Sequence, residues 1–220
     1  LLTAISDLEV VQNDVQSQLI RKHLSKDTLM IRNIYDGPRL GEARTDAGDY
    51  VLNVGNILPK KQHHLLLDLA EKFPHIPFKV AGGGSGAYFD GVMERASNLP
   101  NVEMLGFLSR EQVLQVYQGA RLMLHTAHTE GFPNVFLEAW GHGIPVLSLE
   151  LDPAGVLSQK NLGWVASDVQ DLERRLEQVW ETTDTWENIR VAASEYLAEF
   201  HDPDLIARKY AELFSELVEP

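Results

Sequence analysis

His125-Thr-Ala-His-Thr-Glu-Gly-Phe-Pro-Asn-Val-Phe-Leu-Glu-Ala-Trp-Gly-His-Gly-Ile-Pro-Val-Leu-Ser-Leu-Glu150 decides how the chain is read. It reads as a strand end, a loop, a short helix and a second strand. Pro133 marks the helix start, because the first helical position has no use for the N–H that proline lacks. Gly143 and Pro145 mark its end, since glycine is favoured just past a helix and proline cannot continue one. Glu130 falls in the loop before the helix and Glu138 within it. The helix start offers free backbone N–H groups to an anion, and the two carboxylates accept hydrogen bonds from hydroxyls. A phosphorylated sugar or a nucleotide carries both kinds of group.

Outward from this stretch, strands alternate with helices. Tyr50 to Val54 is an apolar run bounded by Gly48 and Gly55, as expected of a buried parallel strand. Lys60 to Phe73 reads as a helix with Leu65, Leu66, Leu69, Ala70 and Phe73 on one face. Phe78 to Ala81 is a strand that runs into Gly82-Gly83-Gly84-Ser85-Gly86, followed by a helix from about Tyr88 to Ser97. Val102 to Leu105 and Arg121 to His125 are strands. Between them Ser109 and Gln112 form a capping box for a helix to about Gly119. Pro145 to Leu149 is the strand after the central helix. Asp152 to Gly163 reads as irregular and Trp164 to Ala166 as a last short strand; Asp168, Glu187 and Asp204 then open three amphipathic helices.

This alternation predicts an α/β fold, a doubly wound parallel sheet of Rossmann type with C-terminal helices. Ligands of such sheets bind at the carboxyl ends of the strands. The suggestive loops all fall there: Gly55-Asn56, Gly82 to Gly86, Gly106-Phe107 and Thr129 to Asn134. Residues 8 to 12 and 28 to 34 read as two further strands around a helix capped by Asn13 or Asp14. The glycine-rich, charged segment Tyr35 to Gly48 reads as the boundary that separates residues 1–35 from 36–220.

The 220 residues carry a net charge of −13, which disfavours nucleic acid or an anionic membrane surface as a partner. A phosphate ligand must then be held by local devices: helix ends, glycine loops and a few lysines. There is no cysteine, so thiol redox chemistry and cysteine zinc sites are excluded. No apolar run approaches the ~20 residues of a membrane span. The chain opens without methionine inside an apolar segment and reads as a fragment of a longer protein.

Lys60 and Lys61 stand at a predicted helix start, where the helix dipole disfavours a cation, so a ligand for one of them is a natural reading beside that of a solvated pair. The glycine run reads either as a tight turn or as a close approach to a ligand. It lacks the third glycine of a dinucleotide-binding fingerprint. His125 with His128, and His63 with His64, do not have the spacing of a metal site, and no metal is expected.

Glu130-Gly-Phe-Pro-Asn-Val-Phe-Leu-Glu138 and the Gly143-Ile-Pro-Val-Leu-Ser that follows resemble the signature of the GT-B glycosyltransferases, specifically the retaining family 4. Val54-Gly-Asn-Ile-Leu-Pro-Lys-Lys61, Val80-Ala-Gly-Gly-Gly84, Gly106-Phe-Leu-Ser and Val116-Tyr-Gln-Gly-Ala120 are similar to other segments of that family, over about residues 50–200. The resemblance implies a C-terminal domain, residues 36–220, that binds a nucleotide-sugar donor, with 1–35 as an interdomain segment or the tail end of an N-terminal acceptor domain. It implies that Glu130 faces the donor sugar and that Lys61 neutralises phosphate charge, as the two catalytic groups. Glu138 would bind the ribose hydroxyls. The backbone of Phe132, Pro133, Asn134 and Val135 would hold the diphosphate. Gly82, Gly83, Gly84 and Phe107 would border the base. Asn56 stands where many members have arginine, and Ala127 where many have serine.

On this reading the full-length enzyme moves a sugar with retention to a hydroxyl of a glycan or lipid-linked acceptor, in polysaccharide or glycan synthesis. It needs no cofactor, takes UDP- or GDP-linked donors rather than ADP-linked ones, and works in the cytoplasm or at the inner membrane face. The fragment alone is expected to be inactive. The alternative is a non-catalytic nucleotide-sugar-binding subunit completed by a partner chain; a GT-B epimerase is a second rival.

Overall fold

A computed structural model describes residues 8–38, 48–182 and 186–218. Part of the boundary segment Tyr35 to Gly48 therefore lies outside the described residues. The main body is a six-stranded, wholly parallel sheet of β3 (Tyr50–Val54), β4 (Phe78–Ala81), β5 (Val102–Gly106), β6 (Ala120–His125), β7 (Val146–Leu149) and β8 (Gly163–Ala166). Their order in space is β5-β4-β3-β6-β7-β8. The chain winds outward from β3 to β5, returns to β6 beside β3, and winds outward again on the other side. β3 and β6 thus flank the point where strand order reverses, the place where such sheets open a crevice for ligands.

Both faces of the sheet are buried, which is why the strands read as apolar runs. Because successive side chains point to opposite faces, Val51, Leu122, Leu124, Leu147 and Leu149 join one core, while Leu52, Met123 and Val146 join the other. The first core packs on α2 (His63–Lys72), α3 (Ala87–Ala96) and α7 (Val169–Glu181). The second packs on α4 (Arg110–Gly119), α5 (Asn134–Gly141), the short α6 (Val156–Gln159) and α8 (Trp186–Phe200). The Ser109–Gln112 capping box is present in full at the start of α4.

Upstream, β1 (Glu9–Val11), α1 (Asp14–Leu24) and β2 (Thr28–Met30) make a separate two-stranded parallel unit. Asn13 caps α1 by accepting a hydrogen bond from the Gln16 amide. The last helix, α9 (Pro203–Val218), reaches this unit: Ile206 and Leu213 bury against Ile31. Its Phe214 and Leu217 stay exposed.

Three expectations change. The helix expected from Lys60 is two pieces: a tight turn at Pro59–Lys61, then α2 from His63, broken by Gln62 in the left-handed region at φ 52°. The strand expected over 28–34 stops at Met30, where Ile31 turns into the small core under α9. The segment expected to be irregular contains α6, whose start is held by the Asp152 carboxylate, an acceptor for the amides of Leu157 (2.8 Å) and Ser158 (3.2 Å). Among the described residues no helix is long and apolar enough to cross a membrane.

Candidate functional site

The loops after β3, β4 and β5 are knitted together by backbone bonds. The amide of Gly82 donates to the Gly106 carbonyl (2.8 Å), that of Gly55 to Ala81 (2.9 Å), and that of Ile57 to Gly83 (2.8 Å). Gly82 is obligatory: its φ is +158°, and a Cβ there would lie 1.9 Å from the Gly55 carbonyl oxygen. Phe107 is 86% exposed at the rim, its Cβ 3.8 Å from where a Cβ on Gly83 would be. Asn56 is exposed at the end of β3.

Across the reversal point, the loop after β6 is tied to the turn before α2. Thr126 Oγ1 donates to the Lys61 carbonyl (2.7 Å), and the His128 amide to that of Lys60 (3.0 Å). These bonds set Lys61 and Glu130 side by side, and their side chains form an ion pair, each about 20% exposed. The two residues expected to act separately are therefore one ion pair. Its ammonium also lies 3.8 Å from the Cβ position of Gly55.

Two buried histidines flank Lys61. His63 and His125 are both lowered to a pKa of about 4, first by burial and then by the Lys61 charge. They are neutral at physiological pH and add no positive charge beside Lys61.

α5 begins one residue later than expected, with Pro133 as its cap rather than its first residue. No side chain caps it; the Phe136 amide turns back to the Pro133 carbonyl (3.1 Å), which leaves the amides of Asn134 and Val135 for an external partner. The ring of Phe132 is not at this surface: it is buried against Trp140 and His201, so only its backbone faces the loop. Asn134 is exposed and Val135 half-buried at the helix start.

One turn further, Glu138 lines a cavity of about 500 Å³ together with Asn134, Val135, Leu108, Tyr117 and His142. The start of α5 is thus shared by this cavity and the loop that carries Glu130. Burial raises the Glu138 pKa, and the hydrogen bond from Tyr117 opposes that rise. Tyr117 Oη donates to Glu138 Oε2 at 2.8 Å. The cavity reaches the β5–α4 loop at Leu108; Phe107 and Gly82 to Gly84 lie outside its lining.

Several residues at the site were given no role by the sequence. Ile34, read as a strand end, and Tyr35 to Gly37, read as boundary, form a wall of the cavity, held there by an Asp36–Arg110 ion pair at 2.8 Å. Tyr35 lies so close to Gly141 that a Cβ there would be 1.7 Å from its hydroxyl oxygen. The side-chain Nδ2 of Asn33 donates to Asn134 Oδ1 (2.5 Å) and to the Phe132 carbonyl (3.3 Å), while His201 Nδ1 donates to the Asn33 main-chain carbonyl (2.8 Å). The one visible signal was Gly141, a glycine at the end of an otherwise good helix.

The sequence model of the family described as glycosyl transferases group 1 matches residues 42–196. The D-inositol 3-phosphate glycosyltransferase of Mycolicibacterium smegmatis is 29% identical over 173 residues, 74% of this chain and 40% of that protein. The protein of the same name from Mycobacterium leprae is 35% identical over 107 residues, 46% of this chain and 25% of that one. The chain therefore spans 40% or less of the length of these relatives. Among solved structures, Anabaena HepE in complex with UDP and glucose is similar at a TM-score of 0.81 and 19% identity, over 96% of this chain and 64% of that one. Sucrose-phosphate synthase from Thermosynechococcus elongatus is similar at 0.81 and 16% identity, over 98% of this chain and 59% of that one. These two likenesses are of fold, and the parallel α/β sheet is the one found in GT-B glycosyltransferases. With the family match covering residues 42–196, the chain belongs to the glycosyl transferases group 1 family.

Proposed function

We propose that this chain is the donor-binding half of a retaining glycosyltransferase of family 4. The carrying observation is the uncapped start of α5 at the strand-reversal point, with Lys61 on one side and the Glu138 cavity on the other. A nucleoside diphosphate fits this order of groups. The diphosphate meets the first-turn amides of α5 and the Lys61 ammonium, and the ribose hydroxyls donate to Glu138. The base lies toward the loops at Gly82 to Gly84 and at Phe107. Glu130, paired with Lys61, is the acid nearest the sugar.

The chemistry follows from the charges. As the sugar leaves, negative charge grows on the diphosphate, and amides and an ammonium already aimed there stabilise it without reorganising. No metal or cofactor is needed, because Lys61 and the helix start supply the positive potential. Donors are UDP- or GDP-linked rather than ADP-linked. The acceptor, a glycan or lipid-linked hydroxyl, is held by an N-terminal domain of the full-length protein, toward which residues 8–35 lead. The 220 residues alone bind donor and transfer nothing. The named relatives are glycosyltransferases, which supports an enzyme over a binding subunit. The protein works in the cytoplasm, at the inner face of the membrane when its acceptor is lipid-linked.

Calorimetric titration with UDP, GDP and ADP tests this reading. Micromolar binding of UDP or GDP is expected, and Glu138→Ala should weaken it about tenfold, a loss near 1.4 kcal/mol. Binding of none of the three removes the proposal.

A further inference from the structure

Glu138 is held from two sides by one stacked pair, its carboxylate by Tyr117 and its main chain by His142. On α4, Tyr117 is fully buried, and its hydroxyl reaches Glu138 Oε2 at 2.8 Å. At the end of α5, His142 is 6% exposed and donates Nδ1–H to the Glu138 main-chain carbonyl at 2.7 Å. The two rings stack, with centroids 5.0 Å apart and planes 16° from parallel. The side chain and the backbone of Glu138 are therefore fixed by the same aromatic unit.

We propose that Tyr117, stacked on His142, is a positioning residue that holds Glu138 in the geometry needed to accept from the two adjacent hydroxyls of a ribose. This rests on the reading of the cavity as a nucleoside site. The argument is geometric. A glutamate has three side-chain torsions, and freezing them in advance lowers the cost of binding. Tyr117 takes one lone pair of Oε2 and leaves the rest of the carboxylate, including both lone pairs of Oε1, to the ligand. A buried hydroxyl that lost this partner would stay unsatisfied, so Tyr117 is held to Glu138 as firmly as Glu138 is to it.

The same bond favours the ionised form of the carboxylate. Burial pushes the Glu138 pKa up, and the Tyr117 hydrogen bond and the Arg110 charge push it down. The groups around it are Tyr117 and Arg110 of α4, Tyr35 and Asp36 of the preceding segment, and His142 of α5. Asp36 is paired with Arg110, and burial lowers the His142 pKa, against its hydrogen bond to the Glu138 carbonyl. Of the two hydrogen-bonding partners, only Tyr117 acts on the carboxylate oxygens. Loss of its hydroxyl raises the folded-state pKa of Glu138, so the ionised acceptor form is lost at a higher pH as pH falls.

The test compares UDP and GDP with their 2′,3′-dideoxy analogues, which lack both hydroxyls, by calorimetry between pH 5 and 8. The native chain should bind the ribonucleotide better than the analogue. Tyr117→Phe should weaken the ribonucleotide about tenfold and the analogue less than twofold, as expected for one hydrogen bond to a charged group. It should also move the acid-side loss of binding to higher pH. His142→Phe, which keeps the stack but removes the N–H, should show the same selective loss at about threefold. Equal loss for both ligands in Tyr117→Phe would mean a merely structural role, and unchanged discrimination in both variants would leave no role; either overturns the inference. If the native chain does not discriminate, or binds neither ribonucleotide, the ribose reading itself falls and the inference with it.

Discussion

Two places on this molecule look alike at first sight and differ where it matters. At the strand-reversal point, α5 starts beside β3 and β6. At the far edge, α7 starts beside β7 and β8, under an open cavity of about 850 Å³. Both lie at carboxyl ends of strands, and both present a helix start. The far cavity is the larger, but its helix is closed: Asp168 accepts from the Asp171 amide at 2.8 Å. Its cations are also engaged, since Arg174 and Arg175 both pair with Asp171. At α5 the cap is Pro133, which has no side-chain acceptor to offer. Volume and fold position do not make an anion site; unspent donors do.

The strongest way to break this contrast is to close α5. Pro133 sits at an extended backbone geometry, φ −68° and ψ 120°, which suits a capping side chain. Pro133→Asp should place a carboxylate on the first-turn amides. Nucleoside diphosphate affinity should then fall about 100-fold, or 2.7 kcal/mol, from lost donors and added repulsion. Pro133 is buried, so circular dichroism and the melting temperature must confirm folding. Affinity unchanged in a folded variant would mean that the diphosphate is held elsewhere.

The converse variant opens α7. Asp168→Ala removes a cap and should cost about 1 kcal/mol of stability, read as a lower midpoint in urea. Nucleotide affinity should stay within twofold, because the far cavity takes no part in donor binding. A loss of affinity larger than the loss of stability explains would bring the far edge into the site.

How much of this contrast was legible in the sequence depends on distance along the chain. The strands β3, β4, β6 and β7 were readable because both faces of a parallel sheet are apolar. Ser109 was readable as a cap, and Asn13 as one of two candidates beside Asp14, because capping acts over three residues; Asp168 was readable as a helix start. The Glu130–Glu138 stretch was readable as a motif, yet its pairing with Lys61 was not, since that depends on Thr126 and His128 reaching the turn before α2. Tyr35 against Gly141, Asn33 against Asn134 and His201 against Asn33 join positions about 100 or more apart, and no periodicity encodes such contacts. Gln62 was hidden for another reason. A left-handed residue between two helical segments looks, in sequence, like helix, and it turned one predicted helix into two.

That strained residue gives the smallest and finest test. The candidate site and the far cavity each contain a non-glycine residue at positive φ: Gln62 at 52°, next to Lys61, and Glu150 at 56°, in the wall of the far cavity. Replacing either by glycine removes a left-handed penalty of roughly 1–2 kcal/mol. Glycine's greater freedom in the unfolded chain returns about 0.5–1 kcal/mol of that. Both Gln62→Gly and Glu150→Gly should therefore raise stability by about 0.5 kcal/mol. Their effects on nucleotide binding should part company. Gln62 fixes the turn that carries Lys61 to Glu130, so loosening it should change diphosphate affinity by about threefold through the cost of reordering the lysine. Glu150→Gly should leave affinity alone. Equal stabilisation with unequal binding would assign the conformational constraint at Gln62 to the donor site; equal effects on both measurements would show that the turn before α2 is scaffold and that Lys61 needs no such support.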